Sequence, residues 1–277
     1  MSTNMSDRTL DTEISLSGAS PFRDRHAVVT GATRGIGAEI ATTLARLGAD
    51  LTLMGRNEEL LAEREKEINT VSGGAAFAVR AEVTDENSVK AAFAAAAEKF
   101  GPVSILVNNS GIAGSAPFHR METDHWQAML DTNLTGTFLC TRCAYPGMRE
   151  NGWGRIVNVA STAGLWGYAY IAAYTASKHG VIGLTRALAI EAAKVGVTVN
   201  AVCPGYTDTD MLRATVESVV SETGRSEEEA IGELTRMNPQ GRLIQPAEVA
   251  ETVAWLCLPS SRSINGQSII IAGGELM

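Results

Sequence analysis

Short runs of apolar, mostly β-branched residues alternate along the chain with longer alanine-rich, amphipathic stretches. A short continuous apolar run predicts a strand that is buried on both faces of a parallel sheet, and the alanine-rich stretches predict the helices that cover those faces. The clearest predicted helices are Gly37–Leu47, Ser88–Phe100 and Ala173–Lys194. The predicted strands are Ala27–Thr30, Asp50–Met54, Ala75–Ala81, Ile105–Val107, Arg155–Val159, Thr198–Val202 and Ser268–Ile271.

This alternation predicts an α/β fold with a doubly wound parallel sheet of about seven strands and helices on both faces. We expect residues 25–277 to form one catalytic domain, preceded by a loose polar arm over residues 1–24. One irregular stretch, Thr207–Pro246, is expected to hold short helices joined by a turn. A long excursion of this kind is either a lid or substrate loop, or a solvated surface helix.

Composition favours small-molecule chemistry. The chain has 277 residues, 45% of them hydrophobic, and a net charge of -8 without a run of lysine and arginine, which argues against a nucleic-acid surface. No stretch approaches the roughly 18 uninterrupted apolar residues of a membrane span, so we expect a soluble, cytoplasmic protein without a membrane partner. Cys140 and Cys143 form a C-x-x-C that could be redox-active or half of a zinc site, but no second pair completes it, and we predict packing residues and no metal.

Tyr174 and Lys178 are spaced so that a helix would place them one above the other on the same face. A free tyrosine titrates at about pH 10, and a nearby cation favours its phenolate form. A tyrosine tuned in this way can exchange protons near neutral pH. The alternative interpretation is an ordinary pair of side chains on a helix surface.

A glycine-rich turn follows the first predicted strand and precedes a helix, which is the context that a phosphate-binding turn requires. Gly31 permits the tight turn, Gly35 lets the backbone approach a pyrophosphate, and Gly37 allows close helix packing. The amino terminus of the helix would face the anion.

Further motifs follow the glycine turn in order: Asn108-Asn109-Ser110-Gly111, Asn133, Ser161, Tyr174-x-x-x-Lys178 and Pro204-Gly205. With these motifs, the chain resembles the short-chain dehydrogenase/reductase family from about Asp24 to Gly274. The resemblance implies a single-domain Rossmann fold, a nicotinamide cofactor, hydride exchange with a carbonyl or an alcohol, and a homotetramer or homodimer.

The resemblance also implies roles for the matching residues. Tyr174 would donate the proton, Ser161 would hydrogen-bond the carbonyl oxygen, and Asn133 would fix a water that relays protons. Lys178 would lower the tyrosine pKa and hold the nicotinamide ribose. The cofactor contacts implied are Gly31, Thr33, Arg34, Gly35, Ile36, Gly37, Arg56, Asn57, Glu82, Val83, Asn109, Tyr174, Lys178, Pro204, Gly205, Thr207 and Thr209.

Two positions depart from the family pattern. Ser110 stands where the family has alanine, which should leave the backbone path unchanged. Glu82 stands where the family has aspartate after the third strand, so a contact of Glu82 with the adenine is expected on weaker grounds than the others.

The charge at the end of the second strand points to NADP(H) rather than NAD(H). An NAD-binding chain carries an acid there to accept the ribose hydroxyls, but the run here is Leu53-Met54-Gly55-Arg56-Asn57. Gly55 leaves room, Arg56 offers a planar fork to a 2′-phosphate, and Arg34 adds a second positive charge. The alternative for each arginine is a solvated surface charge.

An apolar and aromatic set of residues is expected to line the substrate pocket, although each could belong to the core or to an interface. The segments around Tyr174 and Pro204 look most like the 3-oxoacyl thioester and polyketide ketoreductase branch of the family. We therefore expect NADPH-dependent reduction of a 3-oxoacyl or another hydrophobic or cyclic ketone to a secondary alcohol. The alternatives are a catabolic dehydrogenase that oxidises a secondary alcohol or 3-hydroxyacyl compound, and a catalytically silent NADP(H)-binding regulator. The predicted pocket residues are Ala163, Leu165, Trp166, Tyr168, Tyr206 and Met211.

Replacing Arg56 with aspartate is expected to weaken NADPH binding by roughly 1.5–3 kcal/mol, the scale of one charged hydrogen bond. The change removes a donor to the 2′-phosphate and places a negative charge beside it. Fluorescence titrations with NADPH and NADH measure both dissociation constants. An unchanged preference for NADPH over NADH in the Arg56→Asp variant would refute the assignment.

Overall fold

A computed structural model describes residues 20–71 and 75–276 of the chain. All seven predicted strands are present in one parallel sheet with the order β3-β2-β1-β4-β5-β6-β7. Predicted and observed strand ends differ by at most two residues. The strands are β1 (His26–Thr30), β2 (Asp50–Gly55), β3 (Ala76–Arg80), β4 (Ile105–Asn108), β5 (Gly154–Val159), β6 (Val197–Pro204) and β7 (Ser268–Ile271).

Helices cover both faces of the sheet, as the apolar runs predict. Successive strand residues point to opposite faces, so Val28 and Val29 of β1 belong to two different core clusters. The Val29 cluster contains residues of α1 and α9, and the Val28 cluster contains residues of α3, α5 and α6. The helices are α1 (Gly35–Arg46), α2 (Glu58–Val71), α3 (Glu86–Phe100), α4 (Thr123–Leu130), α5 (Gly136–Glu150), α6 (Ala172–Ala192), α7 (Asp210–Thr223), α8 (Glu227–Thr235) and α9 (Pro246–Cys257).

The direction of winding reverses between β1 and β4, and ligands of such sheets bind at this point. The Thr30 hydroxyl at the end of β1 accepts hydrogen bonds from the backbone N–H groups of Asn109 and Ser110, both at 3.0 Å. In return, the Asn109 amide donates to the carbonyls of Thr30 and Gly31, at 3.0 and 3.1 Å. The loop after β4 therefore holds the glycine turn after β1 in place.

The glycine turn can form because glycine has no side chain at the positions where the backbone comes close or adopts a positive φ. Gly31 and Gly35 have φ values of 65° and 55°, which L side chains rarely adopt. A Cβ at Gly37 would collide with the Gly31 carbonyl oxygen and the Asn109 amide. The roles predicted for Gly31 and Gly37, a tight turn and close packing, therefore agree with the structure.

The folded part of the chain begins before the predicted boundary at residue 24. Phe22 is fully buried in the core, and its N–H donates to the Leu47 carbonyl at 3.1 Å. An aromatic ring in that position cannot belong to a loose arm, so residues 20–24 are part of the domain. Residues 1–19 of the predicted arm lie outside the described residues.

The irregular stretch between β6 and β7 holds two helices, α7 and α8, joined by a turn, as predicted. They form a small cluster of their own around Leu212, Val216 and Ala230. The base of the excursion is closed by a parallel bridge between Thr207 and Ile244.

Cys140 is buried in the core cluster around Val28, and Cys143 packs against the edge of that cluster, as free thiols. Both therefore serve as the predicted packing residues. Among the described residues, no helix is long and apolar enough to cross a membrane.

Replacing Gly37 with alanine is expected to destabilise the protein by about 1–3 kcal/mol or more, since the new methyl group would overlap backbone rather than a movable side chain. Urea denaturation measures the change. Gly232→Ala in α8 is the matched control, because a Cβ there meets nothing within 4 Å. The control should be neutral or stabilise by about 0.5–1 kcal/mol, and equal effects of the two substitutions would contradict the packing role of Gly37.

Candidate active site

Tyr174 and Lys178 lie in the first turns of α6, and the pair points into the protein. Lys178 is only 5% exposed, so Tyr174 and Lys178 are not an ordinary pair of side chains on a helix surface. Its Nζ donates to the carbonyl of Val159 at the end of β5, at 2.8 Å, and lies 5.7 Å from the centroid of the Tyr174 ring. Within the described part of the chain, no carboxylate lies within ion-pair distance of Lys178.

Ser161 meets Tyr174 from the other side. It follows β5 and begins a short turn over Thr162–Gly164, in which its Oγ accepts from the Ala163 N–H at 3.1 Å. The Ser161 hydroxyl also lies close enough to the Tyr174 phenol to act on its pKa. The carboxyl end of β5 and the start of α6 thus bring three of the four predicted catalytic residues together.

The structure gives Tyr174 a pKa shift opposite to the expected one. Burial raises the pKa of Tyr174, and the nearby Ser161 hydroxyl only partly opposes this effect. Burial in turn lowers the pKa of Lys178 from 10.5 to about 8. Both effects have the same cause, since removal from water disfavours the charged form of each group.

Asn133 lies in a single π-helical turn, Asp131–Thr135, between α4 and α5. Such turns insert an extra residue into a helix and often occur at functional sites. The buried amide donates to the Ile112 carbonyl and to Ser177 Oγ, both at 3.0 Å, and accepts from the Ile112 N–H at 2.9 Å. Both amide hydrogens are therefore engaged by protein atoms, and only an oxygen lone pair remains for the expected water.

Two further residues belong to this cluster, and neither was among the predicted site residues. Ser177 Oγ donates to the Tyr174 carbonyl at 2.7 Å while it accepts from Asn133, so it links α6 to the π-helical turn. A Cβ at Gly111 would lie 3.1 Å from Asn133 Oδ1 and 3.6 Å from Lys178 Nζ. The spacing of Ser177 three residues after Tyr174 could have indicated a shared helix face.

The predicted phosphate site lies at the amino terminus of α1. The side chain of Arg34 precedes the helix without capping it, so it does not compete with an anion for the first N–H groups. The Thr209 methyl group lies 3.2 Å from the position that a Cβ of Gly35 would take, which brings the turn after β6 against the glycine turn. Ile36 packs on the core cluster beneath them.

Arg34 and Arg56 are both exposed, with 71% of each side chain accessible. Their carboxylate neighbours, Asp210 and Glu82, lie 3.9 Å away, and such long surface pairs contribute little. Both guanidinium groups are therefore available to a phosphate. Gly55 packs against the methyl group of Thr33, which lies 3.2 Å from the position that a Cβ of Gly55 would take.

Several predicted cofactor residues also make contacts within the protein. Asn57 Oδ1 accepts from the Leu60 N–H at 3.0 Å, which ties it to the start of α2. Glu82 Oε1 accepts from the backbone and hydroxyl of Thr84, and Val83 packs beside Gly136. The Asn109 side-chain nitrogen supports the glycine turn, and its backbone N–H donates to the Thr30 hydroxyl.

In the turn after β6, hydroxyl groups bond to backbone. The Gly205 N–H donates to the Ile271 carbonyl at 3.0 Å, and this bond continues the sheet beyond Pro204. Thr207 Oγ1 donates to the Gly205 carbonyl at 3.0 Å, and Thr209 Oγ1 donates to the Thr207 carbonyl at 3.3 Å. This arrangement stiffens the turn that was predicted to contact the nicotinamide.

Of the predicted substrate residues, Ala163 is buried and supports Ser161, which corrects its assignment to the pocket lining. Leu165 packs partly against a core cluster of β6 and α6. Trp166, Tyr206 and Met211 are exposed. The half-buried Tyr168 donates to the carboxylate of Glu275, at 2.5 Å.

Comparisons with known proteins agree with this geometry. The sequence model of the family described as short chain dehydrogenase matches residues 25–219. A Streptomyces coelicolor protein, provisionally named a ketoacyl reductase, is 42% identical over 250 residues, which cover 90% of this chain and 95% of that protein. Acetoacetyl-CoA reductase of Rhizobium meliloti is 39% identical over 251 residues, covering 91% and 98%. The crystal structure of a variant of actinorhodin polyketide ketoreductase with NADPH matches with a TM-score of 0.86 and 40% identity, covering 91% and 97%.

Replacing Lys178 with methionine is expected to stabilise the protein at pH 7 by about 1–3 kcal/mol, since a buried ammonium loses its hydration and a thioether does not. Because the pKa of Lys178 is lowered from 10.5 to about 8, the unfolded chain holds this proton more tightly than the native protein. Between these two pH values the stability of the original protein rises with pH, so the advantage of the variant should shrink between pH 7 and pH 10.

Urea denaturation at pH 7 and pH 10, without added cofactor, measures this difference. Lys194→Met replaces an exposed lysine and should have little effect at either pH. If Lys178→Met does not raise the free energy of unfolding at pH 7, or raises it equally at pH 7 and pH 10, the desolvation of Lys178 is contradicted.

Proposed function

The chain belongs to the short-chain dehydrogenase family, and on this basis we propose that it uses NADPH to reduce a ketone to a secondary alcohol. The observation that carries the proposal is the group formed by the buried Lys178 and the half-buried Ser161 and Tyr174 at the carboxyl edge of the sheet. The activities in the names of the relatives, ketoacyl reductase and acetoacetyl-CoA reductase, support the same chemistry.

The residues present fit a phosphorylated nicotinamide cofactor. The uncapped start of α1 and Gly35 suit the pyrophosphate, and Arg34 and Arg56 suit the 2′-phosphate. When bound, NADPH supplies a hydride to the carbonyl carbon. The absence of an acid at the end of β2 removes the usual partner of an unphosphorylated ribose.

In the proposed mechanism, the substrate carbonyl oxygen lies between the Ser161 hydroxyl and the Tyr174 phenol. Both donate hydrogen bonds to it, and these bonds strengthen as negative charge develops on the oxygen. Tyr174 then transfers its proton, and the Lys178 ammonium stabilises the phenolate that is left. Burial raises the pKa of Tyr174, so the phenol holds its proton at neutral pH and releases it only as negative charge develops on the carbonyl oxygen.

Asn133 positions the other members of the site in this mechanism. Through Ser177 it fixes the start of α6, and through Ile112 it fixes the loop that runs past Lys178. We assign to the remaining lone pair of its amide oxygen, which lies beside Gly111, the positioning of a water that relays protons from solvent.

We propose a 3-oxoacyl or another hydrophobic or cyclic ketone as the substrate. The exposed Trp166, Tyr206 and Met211 offer aromatic and apolar surface near the site. The named relatives act on ketoacyl, acetoacetyl and polyketide substrates, which supports reduction over the oxidation of a secondary alcohol. A catalytically silent regulator is not favoured, since all four predicted catalytic residues are present and three of them form one group.

We further propose that the domain predicted over residues 25–277, with residues 20–24 added by the burial of Phe22, acts as one catalytic domain in the cytoplasm. The segment 207–246 is proposed to cover the substrate. The separate apolar cluster of α7 and α8, and the contact of Thr209 with the glycine turn, support such a cover. A homotetramer or homodimer is proposed because Ile190, Trp255 and Ile270 expose apolar side chains on α6, α9 and β7.

Replacing Tyr174 with phenylalanine is expected to lower kcat by about 10²- to 10⁴-fold, because the ring is kept and only the transferable proton is lost. NADPH binding should be nearly unchanged. The loss of absorbance at 340 nm with acetoacetyl thioesters and other ketones measures turnover, and fluorescence titration measures binding.

Tyr145→Phe on α5 is the matched control and should keep full activity, because Tyr145 packs against the core cluster around Val28 and not in the site. If Tyr174→Phe reduces the ketone at a rate close to that of the control, the proposed mechanism is contradicted.

A further inference from the structure

The carboxylate of Glu275 lies against Tyr168, one of the predicted substrate residues, although the chain reaches Glu275 only after the last strand. Its Oε1 accepts a hydrogen bond of 2.5 Å from the hydroxyl of Tyr168. Its Oε2 lies 3.0 Å from the point that a Cβ of Gly205 would occupy. One carboxylate therefore touches both the loop after β5, which carries Ser161, and the turn after β6.

A backbone turn after β7 holds Glu275 in this place. The Glu275 N–H donates to the Ala272 carbonyl at 3.1 Å, and Gly273 and Gly274 between them have φ values of 60° and 94°. A Cβ at Gly273 would collide with the side chain of Asn238. The path of the chain up to Glu275 is thus determined by packing, and the half-buried carboxylate is not a freely mobile surface group.

The charge of Glu275 reaches the tyrosines of the site. Burial raises the pKa of Tyr168, and the hydrogen bond and negative charge of Glu275 raise it further. After burial, the same carboxylate is the next cause that raises the pKa of Tyr206, and Tyr206 in turn contributes to the raised pKa of Tyr174. The charge of Glu275 therefore acts directly on Tyr168 and Tyr206, and through Tyr206 on the surroundings of the predicted proton donor, Tyr174.

Within residues 20–71 and 75–276, no lysine or arginine lies within ion-pair distance of Glu275, so no cation neutralises its carboxylate. The Tyr168 hydroxyl is already committed to Glu275, so its proton is not available to a second carboxylate. A substrate with its own carboxylate near the ketone would meet a like charge and lose the donor that could have bound it.

We propose that Glu275, held by Tyr168, determines specificity by excluding ketones that carry a free carboxylate and admitting neutral ketones, esters and thioesters. This inference rests on the proposed function, because it concerns which ketones enter the same site. The physical basis is the repulsion of two like charges in a partly desolvated pocket.

The test compares three substrates that share the same ketone but differ in the charge of the group attached to it. They are acetoacetate, which is an anion, ethyl acetoacetate, which is neutral, and acetoacetylcholine, which is a cation. With the wild-type protein and NADPH, kcat/KM should be lowest for the anion and at least as high for the cation as for the neutral ester. In Glu275→Gln the amide keeps the size and can still accept from Tyr168. The ratio of kcat/KM for acetoacetate to that for ethyl acetoacetate should then rise by about 5- to 30-fold.

Two further variants separate charge from shape. Glu251→Gln removes an exposed carboxylate from α9 and should leave the ratio at its wild-type value. Tyr168→Phe removes the hydrogen bond but keeps the charge of Glu275, so acetoacetate should remain a poor substrate. NADPH titration of each variant reports whether the cofactor site is intact.

A ratio that Glu275→Gln leaves unchanged, or that Tyr168→Phe raises as much, would overturn the role of the charge. If Glu275→Gln does not fold, the charge series on the wild-type protein decides alone, and equal kcat/KM values for anion and neutral ester refute the proposal. Reduction of all three ketones without an order by charge refutes only the role of Glu275. If the protein reduces none of the three substrates and no longer ketone either, the proposed function is refuted instead.

Discussion

The desolvation of the Lys178 ammonium is the constraint on which the site depends. A buried ammonium is unfavourable unless oriented acceptors surround it, and here the Val159 carbonyl at the end of β5 supplies one. A residue without a side chain, Gly111, lies beside it, and the Asn133 amide oxygen lies against Gly111 on the same side. The end of β5, the π-helical turn before α5 and the start of α6 all have to meet around this one charge.

The charges of the site fall into two groups with different physical roles. Arg34 and Arg56 lie in water at the rim, where a charge costs little and a long ion pair is easily exchanged for a phosphate. Lys178 is buried and Tyr174 is half-buried, so a change of charge there acts more strongly on the neighbouring groups than it would in water. Binding is thus assigned to the exposed charges and proton transfer to the buried ones.

Much of the fold and of the site could be predicted from local patterns. The strands are short apolar runs because both faces of a parallel sheet are covered, and their ends were predicted within two residues. Gly31 and Gly37 were identified because a turn between a strand and a helix admits few other residues there. The burial of Phe22 and the support role of Ala163 could not be read in this way, since each depends on contacts with distant segments.

The direction of the pKa shift of Tyr174 shows where local reasoning ends. The spacing of Tyr174 and Lys178 alone suggested that the cation lowers the tyrosine pKa, but burial raises it while the ammonium is turned to a backbone carbonyl. The sequence by itself determined which residue types recur at which spacing, and so the sheet, the glycine turn and the family. Only the tertiary structure decided how deeply the charges are buried and that Glu275 meets Tyr168, because desolvation and contact depend on which segments pack together, and that is not a local property of the chain.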